Sequence, residues 1–283
     1  MATILIIYTG GTIGMVPGPT GLQPAKGVLE AALSRLCRPG MAITVEQFDP
    51  LIDSANIGPR DWNRMLDHIE AWRGDGVIVV HGTDTMAYTG AALSSALAGL
   101  SIPVVLCGSM VPLGMAGDAE ANLTLAVDTV LKAHAGVWLA FAGHVLPAEG
   151  LIKQHSHLAD AFRAICQTAQ VLPARRFADR KLAILSLSPG LPASALAASL
   201  SELDGAVLRV FGAGTMIQDP AMETVLHDAI AQGCRIRAVS QCENGGLEPA
   251  AYAAGAALWS AGVENGGTET AELALARLWL SLS

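Results

Sequence analysis

Seven short apolar runs, with helix-like stretches between most of them, restrict this sequence to few architectures. They lie at Ile4–Ile7, Val77–Val80, Val104–Cys107, Val137–Phe141, Leu182–Leu187, Val207–Phe211 and Ile236–Val239. Each is too short for a helix and mostly apolar on successive residues, the pattern of a strand covered on both faces. The clearest helix runs from Asp219 to Gly233: Asp219 caps it, Pro220 suits its first turn, Met222, Val225, Leu226, Ala229 and Ile230 form one face, and Gly233 ends it. Another follows Pro59, with Trp62, Leu66 and Ile69 on one side. Strands alternating with helices imply βαβ units, right-handed crossovers and a mainly parallel sheet, so the fold class is α/β. Such sheets bind ligands at the carboxyl ends of their strands. The residues just after Ile7 and just after Val80 are therefore the first places to look for chemistry.

A boundary is expected where Arg175, Arg176, Asp179, Arg180 and Lys181 interrupt a stretch of low charge before a new strand. It divides the chain into a larger N-terminal unit, residues 1–178, and a smaller C-terminal unit, residues 182–283. Residues 85–117 carry no charge, but Ser94, Ser95, Gly99 and Pro103 break them into a helix-like and a strand-like half, which argues against a membrane span. The formal net charge of -8 argues against a nucleic-acid binder, which needs a basic stripe. Cys37, Cys107, Cys166, Cys234 and Cys242 are odd in number and include no C-x-x-C pair, so neither a disulfide framework nor a zinc site is expected. The start of the chain enters a strand with no basic region or cleavage signal before it, and a reducing, cytoplasmic location is expected.

The first strand leads into Thr9-Gly10-Gly11-Thr12-Ile13-Gly14. Its glycines allow a tight turn with open backbone N–H groups, an anion or oxyanion nest that the Thr12 hydroxyl can face. A phosphate loop is the competing reading, but neither G-x-x-x-x-G-K-[ST] nor G-x-G-x-x-G occurs. The strand ending at Val80 leads into His81-Gly82-Thr83-Asp84-Thr85, which offers a second hydroxyl, a carboxylate and an acceptor for an ammonium group. The bland alternative is that Thr83 and Asp84 only cap a helix starting near Met86. Lys153 is ordinarily read as a surface charge, but a lysine brought to a threonine hydroxyl, with a lowered pKa, can take its proton. His155 and His157 have no third metal ligand nearby in the sequence, and G-x-S-x-G is absent.

Together, Tyr8-Thr9-Gly10-Gly11-Thr12-Ile13-Gly14-Met15 and His81-Gly82-Thr83-Asp84-Thr85-Met86 resemble the bacterial type I, cytoplasmic L-asparaginases. The likeness continues through Leu51–Asn56, Gly117-Asp118 with Asn122-Leu123, Lys153-Gln154-His155, Ser188-Pro189-Gly190, Gly212-Ala213-Gly214, Ser240-Gln241-Cys242 and Thr270-Ala271-Glu272, essentially the whole chain. It implies a flavodoxin-like N-terminal domain carrying the active site and a C-terminal parallel-sheet domain that completes the site across a subunit interface. A homodimer or homotetramer is expected. Thr12 takes the place of the nucleophile, and Thr83, Asp84 and Lys153 that of a second triad. Asp53, Ser54 and Asp84 match residues holding the substrate's α-amino and α-carboxylate groups, with Gly11, Ala55, Gly82 and Thr83 beside them. The implied reaction converts L-asparagine to L-aspartate and ammonia through a β-aspartyl ester, with no metal or organic cofactor.

Two positions depart from the family. A loop tyrosine is expected within Pro19-Thr20-Gly21-Leu22-Gln23-Pro24, where this chain has Leu22, and Thr215 stands where asparagine is common. The acid of the first triad is left open, with Glu243 as a candidate. The departures keep two alternatives in play: an amidohydrolase for glutamine or another amide, and a non-catalytic amino-acid binder.

Overall fold

The computed structural model describes all residues except Thr20, Ala169, Pro173 and Ala250. The chain divides into two compact units, Met1–Val171 and Leu172–Ser283.

In the first unit the elements run β1 (Ala2–Tyr8), β2 (Met15–Gly18), β3 (Gly21–Pro24), α1 (Val28–Leu36), β4 (Met41–Gln47), α2 (Pro59–Ala71), β5 (Gly76–Val80), α3 (Met86–Ala96), β6 (Pro103–Cys107), α4 (Ala119–Lys132), β7 (Gly136–Phe141), β8 (His144–Pro147), β9 (Leu151–Lys153) and β10 (Phe162–Ala164). Six strands form one sheet in the order β4-β1-β5-β6-β7-β8. All pairings in it are parallel except β7 with β8. The five parallel strands thus follow the flavodoxin-like order 2-1-3-4-5, whose ligand crevice lies outside the carboxyl ends of the first and third strands. These are β1 and β5, the strands that carry the two threonine motifs.

Burial explains why these strands were legible. Every residue of β5 and β6 is buried, as are Ile4–Tyr8 of β1, because helices cover both faces of the sheet. One layer of the core gathers Ile4, Ile6, Ile78, Val80 and Val105 against Leu29 of α1 and Leu123 and Val127 of α4. On α2, Trp62, Met65, Leu66 and Ile69 are buried, Pro59 occupies the first turn, and the Asp61 carboxylate accepts the Gly58 N–H at 3.0 Å. Strand β4 carries no continuous apolar run: it is a sheet edge, and exposed Thr44 and Glu46 alternate with half-buried residues.

The second unit contains β11 (Leu182–Ser186), α5 (Ala193–Leu200), β12 (Gly205–Val210), α6 (Pro220–Ala231), β13 (Arg235–Ser240), α7 (Ala256–Ser260), β14 (Glu264–Asn265) and α8 (Ala271–Ser281). Its four-stranded sheet is parallel throughout, in the order β11-β12-β13-β14. The Asp219 side chain caps α6 through the Ala221 N–H at 2.9 Å, and Gly233 beyond its end has φ of 97°. Of the expected α6 face, Met222 and Leu226 are buried, while Val225, Ala229 and Ile230 are partly buried against the core. The charged segment 175–181 packs within this unit: the Trp279 indole donates to the Ala178 carbonyl at 2.9 Å and Arg180 Nε to that of Leu282 at 3.1 Å. No helix among the described residues is long and apolar enough to cross a membrane.

Candidate active site

Thr12 lies just beyond β1 in a short 3-10 turn, Thr12–Gly14, and Thr83 just beyond β5. The parallel pairing of β1 with β5 aligns Tyr8 with Val80, so both motifs leave the sheet at the same level. Thr9 fastens them together, its N–H and its hydroxyl each donating to the Val80 carbonyl at 3.0 Å. The Ile52 N–H donates to the Thr9 carbonyl at 2.7 Å and brings the Asp53 turn to the same place.

Two glycines let the loops meet. A side chain at Gly11, which has φ of 96°, would start 2.6 Å from the Gly82 Cα, and one at Gly82 would start 2.5 Å from the Ser54 hydroxyl. Only bare backbone fits at either position.

These loops enclose a cavity of about 200 Å3. That is below the roughly 300–1,000 Å3 of pockets for drug-sized ligands and suits a small molecule. Among its walls are Gly11, Thr12, Asp53, Ser54, Gly82, Thr83, Asp84 and Lys153. The structure therefore brings together the expected site residues except Ala55, whose N–H instead donates to Asp53 Oδ1 at 3.0 Å and orients that carboxylate.

Lys153, at the end of β9, donates from Nζ to Thr83 Oγ1 at 3.0 Å and to Asp84 Oδ1 at 2.6 Å. Thr83 is buried, and the Lys153 side chain is 18% exposed. Thr83 and Asp84 do not cap α3. Its N-cap is Thr85, whose hydroxyl donates to the Ser54 carbonyl at 2.6 Å and ties the β5 loop to the Asp53 turn. Thr12 Oγ1 makes no hydrogen bond among the described residues, and Thr12 is one of the residues that line the cavity.

Met15, the last residue of the first motif, also lines the cavity, as do Met110 and Ser156, which were not singled out in the sequence. Met110 arrives on the loop after β6, held by Asp118, whose carboxylate accepts the Met110 and Val111 N–H groups at 2.9–3.1 Å. Asn122 braces that carboxylate at 3.0 Å. Ser156 sits on the turn between β9 and β10, its hydroxyl 2.7 Å from His157 Nδ1. A family-level signal existed for Asp118 and Asn122; none existed for Ser156, an ordinary polar residue in the sequence.

Leu22 lies on β3 opposite Pro17, is 47% exposed and is not among the lining residues. Thr20 in the same stretch lies outside the described residues. Glu243 and Thr215 belong to the second unit. The N–H of Thr215 donates to the Phe211 carbonyl at 2.9 Å in a turn. His155 Nδ1 accepts the N–H groups of His157 and Leu158 at 3.0 and 2.9 Å, a local turn. No cluster of three metal-ligating side chains occurs among the described residues.

His81 is wholly buried directly before the Gly82-Thr83 segment, and burial pushes its pKa down to about 4, partly offset by the Gly82 carbonyl and the charge of Asp61. The unfolded chain, with an imidazole near the ordinary 6.5, therefore binds the proton first as pH falls. Stability from this group is complete above about pH 6.5 and is lost as pH drops toward 4, by roughly 3 kcal/mol at most. Urea unfolding at pH 7 and pH 4.5 should give a steeper loss for the wild type than for His81→Asn; equal losses would show that His81 is not buried in its neutral form.

Two family models match the chain: Asparaginase, N-terminal, over residues 3–176, and Glutaminase/Asparaginase C-terminal domain, over residues 181–283. L-asparaginase 1 of Escherichia coli is 31% identical over 312 residues, which cover 99% of this chain and 92% of that protein. Among solved structures, L-asparaginase I from Vibrio cholerae superposes with a TM-score of 0.86 and the thermostable L-asparaginase from Thermococcus kodakarensis with 0.84. Each is 28% identical and covers 99% of this chain and 92% of its own.

Proposed function

The chain belongs to the asparaginase family, and on that premise we propose that it hydrolyses L-asparagine to L-aspartate and ammonia with Thr12 as nucleophile. The observation that carries this reading is the contact of Lys153 Nζ with both Thr83 Oγ1 and Asp84 Oδ1 in the cavity that Thr12 faces. An alcohol needs a base to attack an amide at neutral pH, and a tetrahedral oxyanion needs fixed donors. The reading takes the donors from the loops after β1 and β5 and the base from Lys153 at the end of β9. Asp53, Ser54 and Asp84 hold the amino-acid end of the substrate, and Gly11, Gly82 and Ala55 shape the backbone around it.

Thr12 Oγ bonds to the side-chain amide carbon as its proton passes to the basic groups of the site. The C–N bond breaks, the departing nitrogen takes a proton and leaves as ammonia, and a β-aspartyl ester remains. Water then attacks the ester carbon, the C–O bond to Thr12 breaks, and its hydroxyl is restored. In this scheme Lys153, braced by Asp84, exchanges a proton with Thr83, and no step calls for a metal or organic cofactor.

The type I likeness of the motifs supports reading the protein as cytoplasmic and as a homodimer or homotetramer. In that assembly residues 1–178 carry the site and residues 182–283 of a neighbouring subunit complete it; light scattering after gel filtration tests the assembly. The decisive test of function is ammonia release at neutral pH from L-asparagine, L-glutamine and D-asparagine in parallel. Release mainly from L-asparagine is expected. Faster release from L-glutamine would reassign the substrate, and silence on all three with aspartate still bound would mean an amino-acid binder.

A further inference from the structure

We propose that His81 is a positioning residue for this hydrolysis, holding the Gly82–Thr83 peptide through a buried hydrogen-bond relay that begins at Trp62 and passes through Thr89. The inference rests on the asparaginase reading for its chemistry and on the structure for its geometry. Trp62 Nε1 lies 3.0 Å from Thr89 Oγ1, Thr89 Oγ1 lies 2.9 Å from His81 Nε2, and His81 Nδ1 lies 2.6 Å from the Gly82 carbonyl oxygen. All three side chains are buried, 0% exposed for His81 and Thr89 and 4% for Trp62.

Only one arrangement of protons satisfies this chain. An indole N–H can only donate and a carbonyl oxygen can only accept. His81 Nδ1 must therefore carry the proton given to Gly82, which leaves Nε2 of the neutral ring as an acceptor. Thr89 donates its hydroxyl to Nε2 and accepts from Trp62. The relay runs one way, from α2 through α3 to the end of β5, and fixes the imidazole tautomer by the partner at each end.

The consequence falls on the next peptide bond. In a trans peptide the C=O and N–H point in opposite directions. With the Gly82 carbonyl drawn toward the buried ring, the Thr83 N–H points away from that ring, and both Gly82 and Thr83 line the cavity. That N–H makes no hydrogen bond among the described residues. His81 thus sets the direction of a free backbone donor beside the reacting groups and spares it from turning during the reaction. Gly82, having no side chain, does not hold its own peptide, which is why an external clamp is needed.

Loss of the clamp is expected to weaken the stabilisation of developing charge more than substrate binding, since Asp53, Ser54 and Asp84 are untouched. Thr89→Val breaks the relay at its centre, and kcat on L-asparagine should fall about 10- to 100-fold with KM changed by less than about threefold. Thr89→Ser keeps the hydroxyl and should recover most of kcat. The 15N spectrum of the wild-type imidazoles reads the relay without any variant and should show His81 protonated on Nδ1 and bare on Nε2 at neutral pH. An Nε2-protonated His81 would overturn the inference. So would wild-type kcat in Thr89→Val, or a parallel loss of kcat and KM that Thr89→Ser fails to repair. A wild-type protein that releases no ammonia would overturn the substrate assignment instead, and the tautomer would still decide the relay.

Discussion

Thr12→Ala should lower ammonia release from L-asparagine by about 10^4-fold or more, the scale seen when a nucleophile is removed from a preorganised site. Binding of L-aspartate should change little, because the polar groups that face the cavity from the other loops, Asp53, Ser54 and Asp84, remain in place. The structural cost is small as well: the Thr12 hydroxyl makes no hydrogen bond among the described residues, so its removal orphans nothing. Calorimetric titration with L-aspartate beside the ammonia assay separates the two effects. Turnover near wild type would transfer the nucleophile's role to another group, with Thr83 the first to test. Loss of binding together with turnover would instead make Thr12 a ligand-holding residue.

Lys153→Met and Lys153→Arg form the second test, and they are informative as a pair. Methionine removes the donor that joins Thr83 Oγ1 and Asp84 Oδ1, contacts of 3.0 and 2.6 Å. Arginine keeps a positive charge but does not give up its proton. If Lys153 moves a proton, both variants should lose about 10^2- to 10^4-fold in kcat, the usual range for a general acid or base. If it acts only as a fixed charge orienting Thr83, arginine should retain most of the activity and methionine should not. Thermal unfolding is expected to shift little in either variant, since Asp84 is 67% exposed and such an ion pair adds little to stability.

How much of this was legible before the chain folded depended on the kind of signal. The strands at the sheet's centre were readable because burial on both faces demands successive apolar residues, as in Val77–Val80. Edge strand β4 was not, because Thr44 and Glu46 face solvent and erase the run. The short β2–β3 hairpin was also missed: Leu22 and its neighbours on β3 are exposed, so neither strand carries a core pattern. At the site, Thr12 and Thr83 stood out because a hydroxyl beside glycine at a strand's carboxyl end is an unusual local arrangement. Ser156 and Met110 did not, because nothing in their immediate neighbours marks them. His81 was visible as a member of its motif, but its partners Thr89 and Trp62 read only as helix residues.

By itself the sequence marked the strands buried on both faces, the capped helix Asp219–Gly233, and the loops that carry glycine, hydroxyl and carboxylate together. These are local properties, set by side-chain periodicity, capping and backbone freedom within a few residues. Only the tertiary structure decided that Lys153 reaches Thr83 across 70 positions of chain, that Asp53 and Ser54 complete the same cavity, and that Trp62, Thr89 and His81 come within hydrogen-bond distance in a row. Spacing along a chain does not encode distance in space. The strand order, with β1 and β5 side by side and their carboxyl ends level, turns separate motifs into one site.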